Sequence, residues 1–310
     1  MKFVTHIAVN GKPSPGVLSA DGARIVDLGA AYPTLLALIE AGPAGLDVAR
    51  RLQAAGGAGT SMAGAKLLAP LPVPPQIRDF MVSAQHARDA GQGMQRLRAK
   101  LEGRPIPERD RTAPPAEIYV RQPVYYISNR FNVVGPDAEV RWPRYCDYLD
   151  YELEFGMVIG KGGANIPVDK AREHIFGYTI FNDYSARDRQ FREMDGRMGP
   201  AKGKSFDTGN GLGPCIVTTD EMTEPYKAKV EVRVNGEVRG RNTTGEMMHS
   251  FEQIIAFVSE DETLHPGEVF GSGTIGGCCG LEIDRFLAPG DVVELEIEGI
   301  GVLRNRIVRG

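Results

Sequence analysis

Two glutamates separated by one residue are the clearest chemical feature of the chain. They lie in the stretch Asp150–Gly160, where Leu153, Phe155 and other apolar residues alternate with them. This alternation predicts a β-strand, and side chains two positions apart on a strand point to the same face. Glu152 and Glu154 should therefore lie side by side. On an exposed strand such a pair is only a solvated acidic face, so the pattern alone does not establish a site.

A third acid follows the buried strand that the apolar run Tyr178–Phe181 predicts. Asp183 comes where this strand ends, which is a frequent place for site residues, although it could also cap the helix that follows. Three carboxylates brought together raise one another's pKa unless a cation balances their charge. Carboxylate oxygens suit hard divalent ions better than zinc. If the acids converge, the sequence predicts a site for Mg²⁺, with Ca²⁺ or Mn²⁺ as alternatives.

Composition argues against several classes of protein. The 36 basic and 40 acidic residues give a net charge of −4, so no overall positive field draws the chain to nucleic acid or to anionic membranes. The longest apolar run, Ile254–Val258, is far shorter than the roughly 18 residues that span a bilayer. The first residues lack the unbroken apolar stretch of a secretion signal. We expect a cytoplasmic protein without nucleic-acid or membrane partners, whose four cysteines are reduced thiols.

The N-terminal part of the chain is predicted to be a separate unit. Residues 1–70 alternate short strands with turns and then show a helical apolar pattern from Thr34 to Gln53, which indicates a small α+β domain. The segment Leu68–Pro75 has four prolines in eight positions and cannot be helical. Residues 71–75 are therefore predicted to be an extended connector between domains.

The second unit, residues 76–310, is predicted to be mostly β, because strand patterns such as Val293–Glu298 dominate it. Its polar segment 88–117 is rich in arginine, glycine and proline. This composition fits a solvated helix and loop, and it also fits a mobile lid that carries cations over an anionic substrate. The whole chain is expected to be α+β and predominantly β.

Four motifs, in this order, resemble the fumarylacetoacetate hydrolase family over about residues 76–310. They are Tyr151-Glu-Leu-Glu154, Asn182-Asp-Tyr-Ser-Ala-Arg-Asp188, Gly203-Lys-Ser-Phe206 and Gly271-Ser-Gly-Thr274. The resemblance implies a catalytic domain built as a mixed β-roll, a small N-terminal α+β domain and a homodimer. It also implies the metal ligands, which are Asp79, Glu152, Glu154 and Asp183.

The resemblance implies a catalytic pair as well. Asp79 is followed seven residues later by His86, which is the family's interval, and Glu282 follows the GSGT motif. In the family such a pair activates water, because the carboxylate orients the imidazole and raises its basicity. A single histidine more often has a structural role, so the assignment of His86 depends on Glu282 being its partner.

Further side chains are implied to contact the substrate or to stabilise its developing negative charge. Lys204 and Arg187 are the expected catalytic cations, and Gln190 is an expected substrate contact. On a helical turn Arg187 and Gln190 would fall on the same side as Asp183. Their plainer role is salt bridging to the nearby acids. The GSGT motif is predicted to form a tight turn that brings Thr274 to the substrate.

The sequence also departs from the family pattern. Met81 stands where the family's eponymous enzyme has a tyrosine, Gln95 stands where it has an arginine, and Phe131–Gly135 offers no tyrosine before the paired glutamates. We therefore expect the chemistry to be kept and the substrate contacts, Met81 among them, to be changed.

These features together predict a metal-dependent hydrolase that cleaves a carbon-carbon bond in a 1,3-diketone acid, such as an acylpyruvate, a fumarylacetoacetate-like acid or a 2,4-diketo sugar acid. The metal would stabilise the enolate that leaves. Two alternatives stay open. One is decarboxylation or keto-enol tautomerisation of an oxaloacetate-like acid at the same site, and the other is a cation-binding scaffold without catalytic activity.

Overall fold

Two β-sheets, of twelve and of five strands, form the framework of the described chain, and a third sheet has only two strands. The computed structural model describes residues 1–56 and 59–309. The strands are β1 (Lys2–Ile7), β2 (Pro13–Leu18), β3 (Arg24–Asp27), β4 (Thr60–Ser61), β5 (Leu67–Leu68), β6 (Ile77–Phe80), β7 (Tyr125–Ile127), β8 (Val133–Val134), β9 (Glu139–Trp142), β10 (Leu149–Asp150), β11 (Glu152–Ile159), β12 (Ile175–Asp183), β13 (Ser185–Ala186), β14 (Asn210–Thr218), β15 (Lys229–Val234), β16 (Glu237–Thr243), β17 (Val269–Cys279), β18 (Val292–Ile297) and β19 (Gly301–Arg309). The expected α+β, predominantly β fold is confirmed.

Eight α-helices are found among residues 1–56 and 59–309. They are α1 (Leu35–Glu40), α2 (Pro43–Ala55), α3 (Ala84–Leu101), α4 (Glu117–Arg121), α5 (Val168–Ala171), α6 (Arg187–Met194), α7 (Ala201–Lys204) and α8 (Phe251–Val258). Short 3-10 turns lie at Arg172–His174 and Pro225–Lys227. Within the described ranges, no helix is both long and apolar enough to cross a bilayer.

The larger sheet contains twelve strands and runs in the order β4-β3-β2-β1-β14-β12-β11-β17-β6-β7, with β5 beside β1 and β8 beside β14. Its central strands β11 and β12 are buried along their whole length, and this burial includes the acids Glu152, Glu154 and Asp183 that they carry. The smaller sheet has the order β16-β15-β18-β19-β9. Its strand β18 matches the strand predicted from the alternation in Val293–Glu298.

A helix covers the central strands and supports them with aromatic packing. Helix α8 begins with a capping box, in which the Ser250 hydroxyl accepts from the Gln253 backbone and the Gln253 side chain accepts from the Ser250 backbone. This places Phe251 with its ring centroid 5.3 Å from that of Phe155, which itself stacks on Tyr178 at 5.1 Å. The packing fixes the position of β11, the strand that carries the paired glutamates.

The helical stretch predicted from Thr34 to Gln53 is helical in the structure, but it is divided into two helices. Helix α1 is capped by the Thr34 side chain and ends after Glu40. Gly42 then adopts a φ of +58°, and Pro43 begins α2. Proline has no backbone N–H, so it is tolerated in the first turn of a helix but not in the interior.

The N-terminal segment shares its sheet with the rest of the chain. Strand β1 pairs antiparallel with β14, with Phe3 opposite Ile216. The strands β1 to β5 are therefore an extension of the same sheet that holds the central strands. The division into residues 1–70, the connector 71–75 and residues 76–310 stays a prediction. The four cysteines are buried free thiols, as expected.

Candidate active site

Adjacent strands bring the predicted site residues together. In the larger sheet β12, β11, β17 and β6 are successive neighbours. Asp79 of β6 lies opposite Gly271 of β17, and Glu154 of β11 lies opposite Thr274 of β17. Asp183 is the last residue of β12. The pairing of these four strands therefore brings together residues that are far apart along the chain.

Three of the predicted metal ligands form a tight buried cluster. Oxygen atoms of Asp79, Glu154 and Asp183 all lie within 4.8 Å of one another. Burial and the charges of the neighbouring acids raise the pKa of Glu154. Burial also raises the pKa of Asp183, and the charge of Asp79 adds to this effect against the opposing charge of Lys204. Such a cluster stays ionised at neutral pH only beside a cation.

The cluster has the donor set of a hard divalent ion. One carboxylate oxygen of Asp79 and one of Asp183 are buried and have no hydrogen-bond partner in the described chain. Gly271 leaves the necessary space, because a Cβ there would come within 2.4 Å of a Glu154 oxygen and 3.0 Å of an Asp79 oxygen. Buried oxygens without partners and a carboxylate-only ligand set fit Mg²⁺, Mn²⁺ or Ca²⁺.

The fourth predicted ligand, Glu152, lies beside this cluster and faces cations. Its carboxylate accepts hydrogen bonds from Lys204, whose ammonium group also donates to Asp183, and from Arg187 at 2.7 Å. Burial opposes ionisation of Glu152, but the charges of Arg187 and Lys204 outweigh it and hold its pKa below the usual range. Glu152 is thus outside the group of three mutually close acids, and its role as a fourth ligand stays a prediction.

Arg187 is held by an acid that the sequence analysis missed. Its guanidinium donates to Asp150 at 2.9 and 2.7 Å, and its side chain is 2% exposed. The backbone N–H groups of Gly280 and Leu281 also donate to Asp150, at 2.8 and 2.9 Å. Asp150 therefore positions both the arginine and the chain that leads to Glu282. Asp150 begins the same alternating stretch that contains the paired glutamates, and this position was the feature of the sequence that could have indicated its role.

Arg187 and Lys204 do form salt bridges to the nearby acids, which was the plainer role that the sequence analysis considered for them. Gln190 belongs to the same network, because its amide oxygen accepts a hydrogen bond from Arg187 at 2.9 Å. Burial opposes protonation of both side chains, but the charges of Glu152 and the other acids outweigh it and raise the pKa of Arg187 and of Lys204, so both stay protonated. The carboxylates offset these positive charges, so the network as a whole has no excess of positive charge. Both cations can still donate a hydrogen bond to a substrate oxygen that enters the cavity.

His86 and Glu282 form the predicted pair. The imidazole Nδ1 lies 2.9 Å from a Glu282 oxygen, and Nε2 lies 3.6 Å from a Glu152 oxygen. Burial opposes protonation of the ring, but the hydrogen bond and charge of Glu282, together with the charge of Glu152, raise the pKa of His86. When Nδ1 holds the proton that Glu282 accepts, Nε2 is left free to take a second one.

Helix α3 fixes the position of the His86 imidazole relative to Glu282. The Ser83 hydroxyl caps the helix by accepting from the His86 backbone N–H at 3.1 Å, so His86 lies in the first turn. Deeper in the helix, Gly93 packs on the chain of Leu281, where a Cβ would meet the Leu281 carbonyl at 2.6 Å. The helix therefore docks tightly against the segment that carries Glu282.

A cavity of about 390 Å³ opens onto the site. Nine of the predicted residues line it directly: Asp79, Met81, His86, Glu152, Glu154, Arg187, Gln190, Lys204 and Thr274. The other two, Asp183 and Glu282, lie behind this lining and contact Lys204 and His86. A larger open groove of about 930 Å³, bordered by parts of β2 and β19, contains none of the predicted site residues.

A tyrosine does reach the site, but it comes from β7 and not from the segment Phe131–Gly135 that the sequence analysis considered. Tyr126 of β7 lies opposite Asp79, and its hydroxyl donates to Asp183 at 2.7 Å. Burial and the charge of Asp183 raise the pKa of Tyr126, so the phenol stays protonated and donates. Phe131–Gly135 does not line the cavity. Only the pairing of β6 with β7 shows this contact, which local sequence does not reveal.

The predicted tight turn at GSGT is wrong, because these residues lie inside β17. The strand is irregular instead: its pairing with β11 shifts register on both sides of Glu154, and Gly273 has a φ of +77°. The bulge still brings Thr274 to the cavity, where its buried hydroxyl has no hydrogen-bond partner in the described chain. The irregular strand therefore gives Thr274 the position that a tight turn was expected to give it.

The segment 88–117 contributes small and apolar residues to the cavity lining, namely Ala90, Gly91, Met94 and Ala116. None of its arginines is among the described lining residues. Whether the segment moves as a lid stays a prediction. Arginines of the segment pair elsewhere: Arg88 with Asp89, Arg96 and Arg109 with Asp284, Arg98 with Asp195, and Arg104 with Glu102.

Comparison with known proteins identifies the family. Residues 77–308 match the fumarylacetoacetate (FAA) hydrolase C-terminal family. The chain belongs to this family. It is 33% identical over 305 residues to the Homo sapiens protein named oxaloacetate tautomerase FAHD2A, mitochondrial. This alignment covers 96% of this chain and 88% of that relative.

Solved structures agree with this family membership. A fumarylacetoacetate hydrolase from Exiguobacterium antarcticum has a TM-score of 0.77 at 28% identity and covers 100% of both chains. A probable 2-hydroxyhepta-2,4-diene-1,7-dioate isomerase from Mycobacterium abscessus has a TM-score of 0.76 at 26% identity, covering 100% of this chain and 99% of that one. Family members thus include proteins named for hydrolysis, for isomerisation and for tautomerisation. The cytoplasmic location and the homodimer stay predictions.

Proposed function

We propose that this protein is a divalent-ion-dependent hydrolase of 2,4-dioxo acids, cleaving the bond between C3 and C4. One observation supports this above all. The His86–Glu282 pair, with its Nδ1–oxygen distance of 2.9 Å, opens onto the same cavity as the three-acid cluster. A base and a cation site on one small cavity suit a substrate whose carbonyl oxygens bind at the ion while its carbon chain lies beneath the base.

The ion has defined ligands in this proposal. Asp79, Glu154 and Asp183 would hold it, and Glu152, which Arg187 and Lys204 engage in this structure, stays the predicted fourth ligand. When bound, a divalent ion supplies Lewis-acid polarisation of carbonyl oxygens. Every other step is assigned to side chains of the protein.

The protein's own groups account for the proton transfers. Glu282 orients His86, and Nε2 takes a proton from water, whose oxygen adds to the C4 carbonyl carbon. The C3–C4 bond then breaks, C4 becomes the carboxyl carbon of the released acid, and C3 takes the proton that Nε2 received from water, which gives the methyl group of pyruvate and restores the neutral imidazole. Lys204 and Arg187 donate hydrogen bonds toward the negative charge on the substrate, and the Thr274 hydroxyl contacts its carboxylate end.

Tautomerisation is the second candidate, and the relatives favour it. The full-length human relative at 33% identity is named for oxaloacetate tautomerisation. The same base can move a proton between C3 and a substrate oxygen without adding water, so the geometry also allows this reaction. Decarboxylation of an oxaloacetate-like acid would use the same cation site and would release carbon dioxide.

Product analysis distinguishes these reactions. The protein is incubated with Mg²⁺ or Mn²⁺ and either 2,4-dioxopentanoate or oxaloacetate, and the products are followed by NMR. Hydrolysis of 2,4-dioxopentanoate gives acetate and pyruvate in equal amounts. A tautomerase accelerates enol-keto equilibration of oxaloacetate and forms neither acid, and a decarboxylase releases carbon dioxide. Ion binding without any of these reactions would support a cation-binding scaffold and refute the proposal.

A further inference from the structure

The cavity changes character from its buried end to its open end. The charged side chains that line it are all nearly fully buried, between 1% and 4% exposed: Asp79, His86, Glu152, Glu154, Arg187 and Lys204. The more exposed lining is uncharged and mostly apolar: it includes Ala90, Met94, Val124 and Met194, with the phenol of Tyr119 and the amide of Gln190 as polar members. A substrate that places its oxo acid end on the buried groups must therefore place its other end against apolar side chains.

From this arrangement we propose that the protein selects 2,4-dioxo acids whose acyl group ends in an uncharged, apolar tail and discriminates against those that end in a second carboxylate. The inference rests on the proposed function and specifies its substrate class. Met94 and Met194 are the specificity-determining residues that the structure points to, one on α3 and the other at the end of α6.

Three arginines of the segment 88–117 are already engaged by acids outside the cavity. Arg96 and Arg109 both pair with Asp284, at 2.8 and 3.0 Å, and neither lines the cavity. Arg98 pairs with Asp195 and lies over the ring of Phe191, with its guanidinium carbon 5.1 Å from the centroid. A substrate carboxylate at the open end would meet no charged partner among the described lining residues and would lose its hydration there.

The cavity also has room for such a tail. Its volume of about 390 Å³ lies within the range of sites that enclose small organic ligands, and an acetyl group would leave most of the apolar lining unused. Tyr119 is held in place from outside, because the His249 side chain hydrogen-bonds its backbone carbonyl at 2.8 Å. The apolar wall is therefore a formed surface that contacts the tail.

The test compares two substrates of equal size and shape. The first, 7-methyl-2,4-dioxooctanoate, ends in a branched alkyl group. The second, 2,4-dioxoheptanedioate, replaces that branch by a carboxylate. The short 2,4-dioxopentanoate serves as the reference, because its acetyl group is too small to fill the apolar part. All three are followed by pyruvate release with Mn²⁺ present, because hydrolysis at C3–C4 gives one pyruvate from each acid and tautomerisation gives none.

We expect kcat/KM for the alkyl acid to exceed that for the diacid at least about tenfold, the discrimination typical of a matched apolar pocket. Met94→Arg should move this ratio toward the diacid by a similar factor, since it supplies the missing cation. If that variant fails to fold, Met194→Arg provides the same test, because Met194 is 46% exposed and tolerates a charged side chain.

The outcomes separate the two proposals. If the short reference acid is processed but the diacid equals or exceeds the alkyl acid, the tail inference is overturned while the proposed function stands. If none of the three acids is processed in the presence of the ion, the proposed function fails. An unchanged ratio in a folded arginine variant would remove Met94 or Met194 as a specificity determinant and overturn that part of the inference.

Discussion

At the residue scale, the compensation of negative charge differs from one acid to the next. Arg187 neutralises Asp150 and, with Lys204, Glu152, and Lys204 also donates to Asp183. Within the described chain, Glu154 accepts a hydrogen bond from the Gly273 backbone N–H, at 3.1 Å, and has no cationic partner, although it lies close to other acids. An uncompensated buried carboxylate destabilises the folded state at neutral pH unless it binds a proton or a cation. Glu154 is therefore the side chain that most directly couples folding to the ion.

Glu154→Gln should show this coupling as opposite effects in two conditions. With a chelator present at pH 8, the variant should be at least as stable as the natural protein, because it removes repulsion within the acid cluster. With Mn²⁺ present, the natural protein should gain more thermal stability than the variant, because it binds the ion more tightly. Thermal unfolding with and without Mn²⁺ measures both effects. Glu117→Gln, at an exposed position, is the control and should change neither.

Glu282→Gln tests how the imidazole is tuned. Glu282 raises the pKa of His86, so its replacement by a neutral amide should lower that pKa. A base works only when unprotonated, and the acidic limb of the rate-pH profile follows its pKa. The variant should have a lower maximal rate, with its acidic limb moved to lower pH. An acidic limb that stays in place, in a folded variant, would show that this limb belongs to a different group.

The sequence predicted the acids better than it predicted their partners. Asp79, Glu154 and Asp183 lie in local motifs, and the structure brings them together. Asp150 and Tyr126 were missed, since their contacts with Arg187 and Asp183 arise from strand pairing and loop closure that no local pattern encodes. Chemically distinctive residues can be found by type and spacing, but the groups that orient them depend on tertiary structure.

At the element scale, helix α3 is the part that sets the distance between the base and the acids. Its first turn carries His86, and its close approach to Leu281 depends on Gly93 having no side chain. Elsewhere, element boundaries departed from prediction for backbone reasons. Pro43 begins a new helix, and Gly273 at φ +77° allows a bulge inside β17 where a turn was expected.

Gly93→Ala should disturb the site through the helix. In an open helix the change would stabilise by about 1 kcal/mol, but here the added Cβ would lie 2.6 Å from the Leu281 carbonyl oxygen. Overpacking of this kind costs about 1 to 3 kcal/mol and should move α3 away from Glu282. We expect a lower melting temperature and a lower kcat.

Gly91→Ala is the matched control for that prediction. It lies in the same helix, and a Cβ there would meet nothing within 4 Å. It should therefore leave the melting temperature unchanged or raise it slightly. Equal destabilisation by the two substitutions would mean that the approach of α3 to Leu281 is not tight. Circular dichroism melts of both variants measure the difference.

At the scale of the whole molecule, the larger sheet and both buried apolar clusters cross the predicted domain boundary. Phe3, Val17 and Leu38 from the N-terminal segment pack in the same buried cluster as Phe176 and Ile216. This continuity was not predicted, because the pairing of β1 with β14 joins residues far apart in the chain. The predominance of β structure was predicted, because alternation within a strand is a local signal.

Removal of residues 1–70 should therefore prevent stable folding of the remainder. The deletion would expose one edge of β14 and the apolar surface around Phe176. A milder form of the test is Phe3→Ala, which should lower the free energy of unfolding by about 3 to 5 kcal/mol. Urea denaturation measures the substitution, and hydrogen exchange measures the deletion. A shortened chain that folds and keeps activity would instead support two independent domains.

The most direct test of the whole account is pyruvate release from 2,4-dioxopentanoate by the natural protein and by His86→Gln, measured side by side with Mn²⁺. The natural protein should release pyruvate only with the ion, and the variant should be slower by a factor of about 10² to 10⁴ while keeping the same Mn²⁺-induced rise in melting temperature. Release at the natural rate by the variant, or release by the natural protein under full chelation, would contradict the account.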